Sequence, residues 1–210
     1  MSKKDINFDY ITDRTIVVYI HGYRGDKDEL PFLRNFIIKK KKFSFFSFSY
    51  KLQKSSGGNY TIQKIISNIK KVINRFLNKH HFDKCYIIGY SLGAAIAVEI
   101  VARKLIKCDG LILISVFDNR KDLLKSRKID IREEENIIPV ISIKRIKKTY
   151  ALFIHGISDK SIDLERGKRV FNNSYKKNSK FIKLNIDHYF KNFHSKKLLL
   201  EAIDSFLSCQ

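Results

Sequence analysis

Tryptophan is absent from the chain, and prolines number only two and glycines nine among 210 residues. No Pro-, Gly- or Ser-rich linker and no internal repeat divides it, and the length suits one core, so a single domain over 1–210 is expected. The three cysteines, Cys85, Cys108 and Cys209, are odd in number and show neither a CxxC pair nor a His/Cys metal spacing. They read as buried thiols. No stretch approaches the roughly 18–20 apolar residues of a membrane span, and the opening "MSKKDINFDYITDR" lacks the apolar run of a signal peptide. A cytoplasmic or other reducing intracellular location follows as the expectation.

Acidic residues are scarce as well. Asp and Glu total 21 against 42 Lys and Arg, for a formal net charge of +21 spread along the whole length. Three readings stand: the coding bias of an A/T-rich genome, attraction to an anionic membrane surface, or nucleic-acid binding. No zinc-finger spacing, RNP-like aromatic motif or groove-reading basic helix supports specific nucleic-acid recognition.

What is present is a regular alternation. Short apolar runs rich in β-branched and aromatic residues alternate with segments of helical period, the pattern of an α/β fold with a mainly parallel sheet flanked by helices on both faces. Strands are expected at "TIVVYI" (15–20), "FSFFSFSY" (43–50), "KCYIIG" (84–89), "GLILIS" (110–115), "YALFIHG" (150–156) and "SKFIKLN" (179–185). Helices are expected over 27–38, 61–77, 91–105, 164–172 and 195–207, and "KSSGGN" reads as a loop. The charged segment 118–148 reads either as a small cap or as a connection between strands.

The chemistry begins between the second and third helices of that series. Gly89-Tyr90-Ser91-Leu92-Gly93 fits G-x-S-x-G and sits after an apolar strand and before a helix. A serine held in a strained strand-to-helix turn projects its hydroxyl from the sheet, and the flanking glycines relieve the crowding a Cβ would bring. Serine attacks at neutral pH only if a base takes its proton and a carboxylate orients that base. Asp159, after the strand at 150–156, and His188, after the last strand, complete the chain order Ser91, Asp159, His188. Asp163 fits better as the start of the next helix. The oxyanion of acyl transfer needs two backbone N–H donors, and Tyr23, in the "HGYRG" after the first strand, and Leu92 occupy the right positions. His21 and Gly22 would organise that loop, and Tyr90 and Phe32 are candidates for the pocket wall. His80, His81, His155 and His194 read as structural.

The stretches "VVYIHGYRG", "CYIIGYSLGAAIAVEIVAR", "LILIS", "ALFIHGISDKSIDLERGKRVF" and "IDHYF" resemble the α/β-hydrolase superfamily, above all the compact serine hydrolases that include monoacylglycerol lipases, lysophospholipases, acyl-protein thioesterases and the Bem46-like group. The resemblance implies Ser91 as nucleophile, Asp159 as acid, His188 as base, the Tyr23 and Leu92 amides as oxyanion hole, and neither metal nor organic cofactor. The expected function is hydrolysis of a carboxylic ester or thioester, with a small acyl-ester or lipid-like substrate and a basic surface that would favour peripheral contact with an anionic membrane; the alternative is a hydrolase-like scaffold that binds without catalysis. Two departures stand out. His188 follows Asn185-Ile186-Asp187 rather than a glycine-containing turn, and the short interval from Ser91 to Asp159 leaves room only for a minimal cap and an open cleft.

Overall fold

The computed structural model describes residues 5–11, 14–50, 61–129 and 132–209. Seven strands form one sheet: β1 (Ile6–Asp9), β2 (Thr15–Ile20), β3 (Ser44–Phe48), β4 (Lys84–Tyr90), β5 (Gly110–Ile114), β6 (Tyr150–Gly156) and β7 (Ser179–Leu184). Their spatial order is β1-β3-β2-β4-β5-β6-β7, parallel throughout except for the antiparallel pair β1·β3. The helices are α1 (Pro31–Phe36), α2 (Ile62–Lys79), α3 (Leu92–Ala102), α4 (Arg120–Lys125), α5 (Pro139–Ser142), α6 (Leu164–Asn172) and α7 (Phe193–Ser208).

The central strands are apolar on both faces because both are covered. Ile16, Val18, Ile87, Leu111, Leu113 and Phe153 pack beneath α2, α3 and α6, while Val17, Tyr19, Ile88, Ile112, Leu152 and Ile154 pack beneath α1 and α7. The α2 stripe of Ile62, Ile65, Ile66, Ile69 and Ile73 is buried as its spacing predicts, and the Thr61 side chain caps the helix by accepting from the Lys64 N–H at 3.2 Å.

The structure differs from the expectations in four places. β1 is an additional edge strand. The helix expected over 27–38 begins only at Pro31, because the ring of a proline disfavours helical dihedrals at the residue before it; Leu30 has ψ 71°. That helix runs on as a π-helical turn, Ile37–Lys41, closed by Lys42 at φ 59°. Of the cysteines, Cys85 is buried and its thiol pushed up to about 12 by burial, but Cys209 is exposed at the end of α7. The loop read at "KSSGGN" lies outside the described residues.

Segment 118–148 holds α4, α5 and two short 3-10 turns. Ser142 donates to the buried carboxylate of Glu99 on α3, and Asp118 is gripped by Arg166 at 2.7 Å and Arg169 at 2.6 Å from α6. These contacts hold the segment over the sheet's C-terminal edge. Among the described residues no helix is long and apolar enough to cross a membrane.

Candidate active site

Register places the strand ends in one row. Ile20 of β2 faces Gly89 of β4, Tyr90 faces Ile114 of β5, Ile114 faces Ile154 of β6, and Gly156 faces Leu184 of β7. The residues that follow each strand therefore emerge side by side, at the edge where open α/β sheets assemble sites.

Ser91 stands at the joint of β4 and α3 with φ 55° and ψ −116°, a backbone state that L-residues hold only when their surroundings enforce it. The enforcement comes from close packing. A Cβ on Gly93 would lie 2.0 Å from the Ile20 carbonyl oxygen and one on Gly89 would lie 2.5 Å from Ala94 Cα. The absence of those carbons lets α3 press against the end of β2, which in turn brings the next loop to the serine: a Cβ on Gly22 would sit 3.4 Å from Ser91 Cβ.

That loop is fixed by its own hydrogen bonds. His21 Nε2 accepts from the Tyr50 N–H at 3.1 Å, so Nδ1 carries the proton and donates to the Gly22 carbonyl at 2.8 Å. The two rings stack at 4.0 Å, and Tyr50 Oη donates to the His21 carbonyl at 2.6 Å. Burial depresses the pKa of His21, which keeps it neutral and structural. Glu29 accepts from the Gly22 N–H and from Tyr19 Oη, both at 2.7 Å. Burial raises its carboxyl above the ordinary range. With the Gly22 N–H engaged, the next amide in the turn is that of Tyr23.

On the other half of the edge, Asp159 is held from five sides. Its Oδ2 meets His188 Nδ1 at 2.7 Å and accepts from Ser115 Oγ at 2.9 Å, while Oδ1 accepts the N–H groups of Ser161 and Ile162 at 2.8 Å each. His155 Nε2 lies 3.7 Å from Oδ2 and bonds to the Ile162 carbonyl at 2.8 Å. Burial pushes the Asp159 carboxyl up, yet the His188 ring, the Ile162 N–H and the Ser115 hydroxyl outweigh it and hold the acid below its usual range. Asp159 is thus ionised, and His188 Nδ1 is the donor.

The His188 loop has no glycine, and side chains do the work one would have done. Asp187 Oδ1 accepts from the Tyr189 and Phe190 N–H groups at 3.1 and 2.9 Å, Phe190 adopts φ 51°, and Tyr90 Oη donates to the His188 carbonyl at 2.6 Å. The Tyr90 hydroxyl is pushed far up by burial, so it stays a donor.

Ser91 and His188 line one cleft of about 650 Å³. Among the described residues no hydrogen bond joins Ser91 Oγ to the ring, a looseness familiar in unliganded sites. Tyr23, Leu92, Gly22 and Tyr90 also line the cleft, as do Leu30, Phe117, Leu123, Leu124 and Ile162. Phe32 does not: it lies on α1 with its ring 6.4 Å from Phe190, part of the core between α1 and α7, and Leu30 takes the place expected of it. Asp163 caps α6 by accepting from the Glu165 N–H at 2.7 Å, as expected. His194 falls in the first turn of α7 rather than before it, and His80 packs its ring among Phe8, Phe76 and Phe82. Among the described residues no three His, Cys, Asp or Glu side chains gather as a metal would require.

Several contributors carry no sequence signature: Glu29, the cleft arginines Arg120 and Arg127, and Ser115, whose only hint is its place at the end of "LILIS". Ser115 has φ 50° and so turns its hydroxyl to Asp159.

Neither a protein-family model nor a curated protein sequence matches the chain. Solved structures do. One of the metagenome-derived lipolytic enzymes LipS and LipT superposes with a TM-score of 0.76 at 15% identity, over 98% of each chain. This chain has the α/β-hydrolase fold. Est1E from Butyrivibrio proteoclasticus, solved with ferulic acid bound, gives 0.74 at 17% identity over 98% of this chain and 94% of that one. The monoacylglycerol lipase of Paleococcus ferrophilus gives 0.72 at 15% identity over 96% and 97%. The α/β-hydrolase architecture, expected from the strand–helix alternation and the elbow, is therefore shared almost end to end with esterases and lipases.

Proposed function

We propose that the chain is a serine hydrolase of carboxylic esters or thioesters, with Ser91 as nucleophile, His188 as base and Asp159 as the orienting acid. What carries this reading is the 2.7 Å pairing of His188 Nδ1 with a buried, ionised Asp159 on the cleft that also receives the strained Ser91. In the reaction His188 Nε2 takes the Ser91 proton as Oγ attacks the carbonyl, and the Tyr23 and Leu92 N–H groups hold the oxyanion. The intermediate collapses, the leaving alcohol or thiol takes the proton from His188, and water then cleaves the acyl-enzyme by the same route. Esterase and lipase activity among the structural neighbours supports ester chemistry in particular.

Segment 118–148 would act as a minimal cap, since its Leu123 and Leu124 complete an apolar wall with Leu30 and Phe117 fit for an acyl chain. The mouth is rimmed by exposed Tyr23, Ile129 and Tyr189, with Arg24 over the Tyr23 ring and Lys191 over that of Tyr189, a surface suited to peripheral contact with anionic lipid. A fluorophosphonate probe is expected to label Ser91, and p-nitrophenyl acyl esters to be cleaved. Full turnover by Ser91→Ala would overturn the assignment.

A further inference from the structure

The cap side of the cleft carries two guanidiniums that pair with no carboxylate among the described residues. Arg120, at the start of α4, is only 8% exposed, yet its one side-chain bond goes to a neutral group: Nη1 donates to the Glu135 carbonyl oxygen at 2.6 Å. The Glu135 carboxylate is itself taken by Arg132 at 3.0 Å. Arg127, exposed at the cleft mouth, donates through Nη2 to the Ser161 carbonyl oxygen and so reaches from the cap to the Asp159 loop. Among the described residues no carboxylate pairs with either arginine. The remaining acid of the cleft wall, Glu29, is occupied by Tyr19 and Gly22.

A guanidinium has five N–H donors in a fixed fork, and one carbonyl leaves most of that fork free for a planar or tetrahedral oxyanion. Withdrawing a guanidinium from water without a counter-charge is costly, and a site that does so is completed when an anion arrives. The contrast with α6 sharpens this. There Arg166 and Arg169 are spent on Asp118, whereas Arg120 and Arg127 line the cleft that also holds Ser91.

We infer that the cap wall forms a subsite for an anionic group, and that the preferred substrate is an ester or thioester bearing a carboxylate or phosphate as well as an apolar stretch. This rests on the hydrolase reading and names its substrate class. The scissile carbonyl sits at Ser91 between Tyr23 and Leu92, the apolar part runs along Leu123 and Leu124, and the anion is gripped by Arg120 and Arg127.

Two matched pairs of substrates test it and separate the two sources of charge: p-nitrophenyl hydrogen glutarate against p-nitrophenyl pentanoate for a carboxylate on the acyl side, and butyrylglycerol phosphate against butyrylglycerol for a phosphate on the alcohol side. The charged member of at least one pair should have a kcat/KM higher by about tenfold or more at low salt, as charge-assisted bidentate contacts allow, with the advantage shrinking as salt rises. In Arg127→Gln and in Arg120→Gln the charged-to-neutral ratio should fall by about tenfold. Arg127 is exposed, so its variant reports on the subsite even if the Arg120 variant does not fold. Ratios at or below one for both pairs, or an unchanged ratio in Arg127→Gln, overturn the proposal. Calorimetric titration of Ser91→Ala with glutarate and with glycerol phosphate separates the two readings. Saturable binding weakened by Arg127→Gln upholds the subsite even if no ester is cleaved and no probe labels Ser91; no binding of either anion removes the subsite, whatever the hydrolase activity.

Discussion

The two halves of the sheet's C-terminal edge are built by different means. On the β2–β4 side, position is set by missing atoms: Gly89 and Gly93 let backbones approach to distances at which no side chain would fit, and the geometry of Ser91 follows from that contact. On the β6–β7 side one such contact recurs, a Cβ on Gly156 lying 2.3 Å from the Ile186 carbonyl oxygen, but hydrogen bonds are added to it: Ser115, Asp187 and Tyr90 each fix part of the Asp159–His188 loops. A glycine contact either fits or clashes, while a hydrogen-bond network can lose one member and persist. Substitutions on the first side should therefore act through folding, and those on the second through rate.

The largest expected effect lies on the second side. Asp159→Asn leaves the loop's shape but presents an amide to His188, and kcat should fall by about 10⁴-fold in a protein still folded at the assay temperature; steady-state kinetics beside calorimetry would expose a loss that came from unfolding instead. Gly93→Ala drives a methyl group to 2.0 Å from the Ile20 carbonyl, and denaturant titration should show a loss of about 3 kcal/mol or no folded protein at all. Ser115→Ala removes one donor to an ionised acid and should lower kcat about tenfold with KM nearly constant, a split that a merely structural loss would not give.

The smallest effect is a pH dependence of stability. His21 and His155 are both depressed, chiefly by burial, so the unfolded chain binds more protons than the fold does below the free imidazole value of about 6.5. Their contribution is complete above that pH and is lost as pH falls towards their folded values, with a slope of at most about 1.4 kcal/mol per pH unit for each. Asp159, held low, adds stability that persists above about pH 3.9 and is lost in stronger acid; Glu29, held high, works in the opposite direction, its contribution lost as pH rises from about 4.3 through its raised folded value. Unfolding free energies should climb between pH 5.5 and 7 (roughly the imidazole window), less steeply in His155→Gln.

The same division governs how much the sequence discloses. Elements whose signal is local were legible: α6 falls on 164–172 as its periodicity predicts, and the elbow is visible because G-x-S-x-G encodes a local steric demand. β1 escaped notice because four residues carry little pattern and their pairing partner, β3, lies far along the chain. α1 starts four residues beyond the expected Lys27 because Pro31 keeps Leu30 out of the helical region, a restriction that overrides the polar run before it. Ser115 and Glu29 act through distances that only the assembled sheet creates, and Arg120 and Arg127 are hidden in a segment where charge is everywhere. Phe32 looked like wall because it is aromatic and close to the first loop, but the helix turns it towards Phe190.

The wall residues Leu123, Leu124 and Ile129 come from one continuous stretch, and none of them is among the hydrogen-bond partners of Asp159 or His188. On the proposed hydrolase reading, this part of the selectivity wall and the reacting groups lie on separate pieces of chain. A library randomised only at those three codons would leave the reacting groups in place while resampling what they are offered, and drift in this stretch could carry a lineage from one metabolite to another without a dead intermediate.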